Sequence, residues 1–150
     1  MRGIGRIPAD RRRTRARGQA MAEFALVAPI FFILVLGVID FGRAIYLYNG
    51  LSQASREIAR AASVSAGNPL GSSAGAQAAI AVQRTLVPGM GNPQFSCVDF
   101  SGATIPGNGS GGCASGDYVK VTLQVPYTPA ALLGIAGPIQ LTSSSTNQVQ

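Results

Sequence analysis

Sixteen consecutive residues, Phe24 to Ile39, carry no charge, and most of them are large and apolar. No other feature restricts the fold as much. At about 1.5 Å per residue the run makes about 24 Å of helix, somewhat short of the ~30 Å hydrocarbon core of a bilayer. Adding Ala20, Met21 and Ala22 completes a span and brings Glu23 about one turn inside its end. A carboxylate at mid-bilayer costs roughly 2.5–3.5 kcal/mol on insertion scales and less near the interface. By position alone, Glu23 either has a role inside the membrane or marks its edge.

The flanks carry more information. Ahead of the acid the chain reads Arg17-Gly18-Gln19-Ala20-Met21-Ala22-Glu23-Phe24, and after it Phe24-Ala25-Leu26-Val27-Ala28-Pro29. A second block follows, Gly37-Val38-Ile39-Asp40-Phe41-Gly42-Arg43-Ala44-Ile45-Tyr46. The first block resembles the processing site of type IV prepilins, and the two together resemble the TadE-like minor pseudopilins of tight-adherence (Flp) pilus systems. The likeness is sharp over about residues 18–62 and only architectural beyond.

The resemblance implies cleavage by a prepilin peptidase between Gly18 and Gln19, with Glu23 and Phe24 completing the processing motif. It also implies that Glu23 acts in assembly by meeting the new amine of Gln19 on a neighbouring pilin or pseudopilin subunit. The expected partners are therefore the membrane, the peptidase and other pilin-type subunits.

The net charge of +6 raises a nucleic-acid reading, which depends on where the charge lies. Residues 1–17 hold seven arginines against Asp10, while residues 18–150 hold five bases and five acids. The basicity belongs to the leader, and the remainder has no footprint for nucleic acid. Basic residues before an apolar span stay cytoplasmic, which sends the C-terminal part outward; the resemblance implies a bacterial inner membrane, with that side periplasmic or extracellular. The sequence thus divides into a basic cytoplasmic leader at 1–18, a transmembrane helix at 19–42 and an extracytoplasmic head at 43–150.

The leader, with Pro8, scattered glycines and no apolar periodicity, is expected to be disordered. Two rivals exist for it. The Arg11-Arg12 pair lacks the usual twin-arginine continuation, and a secretory signal would need a small-x-small site where this chain has Asp40-Phe41-Gly42-Arg43. If the first forty-odd residues were a discarded signal, the product would be a secreted binding module; without any cleavage it would be a bitopic one.

Beyond Asp40 the helical signal continues with an apolar stripe at Leu47, Leu51, Ala54, Ile58 and Ala61, opposite Asn49, Gln53, Arg56, Glu57 and Arg60. One helix from about residue 20 to 65 follows, ended by Gly67-Asn68-Pro69, with Pro29 a point of weakness inside it. Its small Ala and Ser residues would let a sheet or helix approach closely. A short helix over 74–85, capped from Ser72 or Ser73, precedes a strand at 94–100 and a Gly-rich loop at 101–115.

Residues 117–127 alternate cleanly, Val119, Val121, Leu123 and Val125 to one side and Lys120, Thr122 and Gln124 to the other, and Pro126 is expected to stop the ladder. A turn-rich apolar excursion at 130–137 leads to a polar strand at 139–149. The fold class is α+β: a long N-terminal helix, half transmembrane and half amphipathic, packed on a small antiparallel sheet in a pilin-like manner.

Cys97 and Cys113 enclose fifteen residues. With no His in the chain a tetrahedral zinc site is disfavoured, and a redox pair would prefer C-x-x-C spacing, so a structural disulfide is expected. The lack of His also removes the usual general base of Ser and Cys hydrolases. The six acids form no close pair on a common face, and no phosphate-binding Gly-rich loop with its Lys occurs. Neither catalysis, a metal, a cofactor nor a small-molecule substrate is expected.

Overall fold

The structure is a computed structural model that describes residues 10–65, 69–130 and 137–150, with side chains from residue 18 onward. Its elements in chain order are α1 (Asp10–Ser63), α2 (Ala74–Leu86), β1 (Gln94–Val98), β2 (Thr104–Ile105), β3 (Tyr118–Tyr127) and β4 (Ile139–Gln148). The long helix on a small antiparallel sheet is the expected α+β architecture.

Helix α1 begins at Asp10, ahead of the expected start near residue 20, so the expectation of disorder fails for residues 10–17. The physical reason is local: from Asp10 to Arg17 the chain has neither Gly nor Pro, and Arg and Ala are strong helix formers. Residues 1–9 of the leader lie outside the described residues. The helix continues through Pro29 and ends at Ser63. Of the expected stop at Gly67-Asn68-Pro69, the first two positions lie outside the described residues.

The outer half of α1 supplies the core. Leu51, Ala54, Ser55, Ile58, Ala59 and Ala62 are buried, whereas Leu47 and Ala61 of the expected stripe are only half-buried. Alternating steps of three and one give a stripe wide enough to meet a sheet rather than a single helix. Small residues bring the helix close to β4, where the Ser55 and Ser143 hydroxyls lie 3.4 Å apart. Ser55 Oγ also donates to the carbonyl of Ser52 at 2.9 Å, so this buried hydroxyl is satisfied within its own helix.

Of the two serines that the sequence offers as a cap for α2, Ser73 is the one used: its hydroxyl accepts from the Ala76 amide at 3.2 Å. Ala76 and Ile80 turn toward the core. The loop before it needs Gly71, whose φ of +77° suits glycine and whose Cα is closed over by the Phe95 ring, only 2.5 Å from where a Cβ would stand.

The sheet order is β2-β1-β3-β4, all antiparallel. On β3 the residues Val119, Val121, Leu123, Val125 and Tyr127 are buried, as the alternation predicts. Two details differ. The Gly-rich 101–115 stretch contains β2, because Thr104 and Ile105 double back to pair with Val98 and Cys97. The expected strand to residue 100 ends at Val98, leaving Phe100 exposed.

Pro126 does not stop the ladder: β3 runs to Tyr127, and Pro126 faces Gln140 across it. The carbonyl of Gln124 accepts from Gly91 on the side away from β4. Backbone groups two residues apart point the same way, so the nitrogen of Pro126 also faces away from β4 and its missing N–H removes no bond of that pair. Pairing between β1 and β3 ends at Thr122, so no strand competes for that edge.

The β3–β4 hairpin lies along α1, with β3 antiparallel to the helix and β4 parallel to it. Its Tyr127 end reaches Asp40, and its Ser143 level, paired with Leu123, meets Ser55. The expected apolar excursion at 130–137 leaves this end; residues 131–136 lie outside the described residues.

Candidate functional site

The site that the fold creates is the inner half of α1 together with its junction to the head. From Met21 to Ile39 the large side chains project into open space: Phe24 and Leu26 are both 72 % exposed, and Ile30, Phe31, Phe32, Ile33 and Leu34 are all more than half exposed. A soluble helix of this composition would be buried in a core. The apolar window of this helix is long enough to cross a membrane and is 6 % buried, so the chain's own fold does not cover it.

Glu23 stands in this surface. Its Oε1 accepts from Gln19 Nε2 at 3.1 Å, one turn earlier on the same helix. Gly18 has open space where a Cβ would be. Gln19, Glu23 and Phe24 lie on an exposed helical surface, with Gly18 at its start. The residues that the resemblance names for processing and assembly, Gly18, Gln19, Glu23 and Phe24, therefore lie within two turns of one another inside α1.

At the other end of the apolar run Asp40 is 6 % exposed, the one buried position between 18 and 50. Tyr127, at the end of β3, covers it: the phenol Oη donates to the Asp40 carbonyl at 2.7 Å and lies 3.3 Å from Oδ1. Arg43, one turn on, places Nη1 3.7 Å from Asp40 Oδ1 and its guanidinium 5.9 Å from the centre of the Tyr127 ring. Burial, reinforced by the Asp40 carboxylate, holds the Tyr127 phenol above its ordinary pKa, with Arg43 opposing.

This junction ties the head to the last turn of the apolar run. The Asp40-Phe41-Gly42-Arg43 block was visible in the sequence, but Tyr127 is 87 residues away, and only the hairpin's direction brings it there.

The disulfide is present, Cys97 to Cys113 with Cα atoms 5.6 Å apart. It ties the end of β1 to the close of the Gly-rich loop. That loop is organised by Asn108, whose Oδ1 accepts from the Gly112 amide and the Ser110 hydroxyl, both at 2.8 Å. Among the described residues no three His, Cys, Asp or Glu side chains converge on a point that could hold a metal.

Fold and site together define a class: an α+β protein with one apolar N-terminal helix able to cross a membrane as a single pass, locked to a small disulfide-tied head. Residues 18–60 match the family model described as TadE-like protein, the family that the sequence resembles. The match spans the apolar helix, Asp40 and Arg43 of the junction and most of the docking stripe, and it suggests a membrane protein related to tight-adherence pili. Nothing matches among the curated proteins or the solved structures.

Proposed function

We propose that the chain is a membrane-anchored, pseudopilin-like subunit that acts in assembly of a tight-adherence type IV pilus or a related secretion apparatus. It is structural rather than enzymatic. A prepilin peptidase cuts between Gly18 and Gln19 on the cytoplasmic side, the helix over 19–42 stays in the inner membrane, and the head from 43 faces outward.

One observation carries this reading: within the TadE-like segment, the apolar surface of α1 is exposed along its length while the same helix continues into the core of the head. Anchor and head core thereby share one continuous helix. Removing the span would leave Leu51, Ala54 and Ile58 on a truncated helix, whereas cutting after Gly18 keeps anchor and core together.

Mature mass tests the reading. In cells with the peptidase, the purified protein is expected to lack residues 1–18, and Gly18→Val is expected to retain them, since a side chain there crowds access to the backbone. Loss of the whole apolar run would instead make the product a secreted binding module, and an intact N-terminus would make it an uncleaved bitopic one.

A further inference from the structure

The end of the β3–β4 hairpin does not merely stop above the apolar run; it lies beside it. Tyr127 and Pro129 share a groove with Ile33, Leu34, Gly37 and Val38 of α1. Leu34 is six residues before Asp40, about 9 Å along the helix toward the middle of the uncharged stretch. Any bilayer that covers Leu34 therefore reaches the foot of the head.

The chemistry of that foot suits an apolar layer. No charged residue occurs anywhere from 121 to 150. Ile139, paired with Tyr127 at the first position of β4, is 49 % exposed. Strand ends normally present unpaired amides, which lipid penalises severely, but here Pro126, Pro129 and Pro138 have no N–H to leave unpaired. Above this level the surface becomes interfacial. Arg43 is largely exposed beside the Tyr127 ring, and Tyr46 and Tyr48 project outward one to two turns on, the placement that Tyr takes in headgroup layers.

We propose that the head itself is seated in the bilayer, with the Tyr127, Pro129 and Ile139 end of the hairpin in the upper acyl layer of the outward leaflet. Lipid acyl chains fill the groove against α1, and Arg43 meets headgroup phosphates. The Asp40–Tyr127 junction fixes this seating by holding the hairpin at the level of the last apolar turn. The inference rests on α1 being the membrane anchor and adds a second contact to it.

The natural chain has no Trp, so single tryptophans report depth without background. The full chain, reconstituted in vesicles of phosphatidylethanolamine and phosphatidylglycerol, would carry Leu34→Trp in the span, Ile139→Trp at the hairpin end or Val82→Trp on the exposed face of α2. Lipids brominated on their acyl chains are expected to quench Leu34→Trp and Ile139→Trp and to leave Val82→Trp within about a tenth of its unquenched intensity.

An Ile139→Trp protein that escapes brominated lipid but is quenched by aqueous iodide, while Leu34→Trp is quenched by lipid, overturns the seating and leaves the anchor intact. Protection of Ile139→Trp from both quenchers also overturns it, because a second copy then occupies the groove. Failure at Leu34 as well removes the anchor and the seating together.

Discussion

At the scale of single residues, the Asp40–Tyr127 pair shows how a buried carboxylate is retained beside an apolar helix. Asp40 keeps its place because a phenol and a guanidinium surround it. Tyr127→Phe keeps the ring and deletes the donor, leaving the Asp40 carbonyl without that bond. A loss of ~1–2 kcal/mol is expected, read as a lower urea midpoint for the head in detergent micelles.

Among the elements, the β1–β2 region depends most on covalent help. It offers two paired positions between β1 and β2, followed by a loop of Gly, Ser and Asn. Closing a sequence separation of 16 stabilises by ~3 kcal/mol in the chain-entropy model. Replacing Cys97 and Cys113 together by Ser is expected to lower the head's stability by about that amount, measured by denaturant titration, with the β3–β4 pair retained. Helices α1 and α2 were legible in the sequence because periodicity and capping act within a few residues, and β3 because its alternation is regular. The pairing of β2 and the passage of β3 through Pro126 were not legible. Both depend on which edge of a strand faces a neighbour, a property of the sheet rather than of either segment.

For the whole molecule, the exposed apolar helix makes assembly the question. On the proposed reading, cleavage after Gly18 creates an amine at Gln19 one turn from Glu23, in surroundings where two separated charges are both penalised and a pair is not. Glu23→Gln is then expected to leave cleavage and membrane insertion unchanged and to abolish co-purification with partner pilins. Assembly of the variant at the normal level would reduce the carboxylate to a marker of the membrane edge. Co-purification reads the intermolecular pair alone; within one chain Glu23 accepts from the Gln19 side chain.

The sequence by itself determined the long helix, its uncharged run and the side of it that carries basic residues. It also determined a serine cap at 72 or 73, the buried face of β3 and the eligibility of Cys97 and Cys113 for a disulfide. These follow from local rules: rise per residue, side-chain period, propensity and charge. Tertiary structure alone decided that Ala59 and Ala62 are buried while Ala61 is only half-buried, because the packing of the head on the helix sets which turn faces inward. It also decided that Asp40 is buried, since an acid after an apolar run has no reason to leave water until a distant Tyr127 is brought over it. That closure depends on the direction in which a hairpin is laid along a helix, which no stretch of the chain encodes on its own.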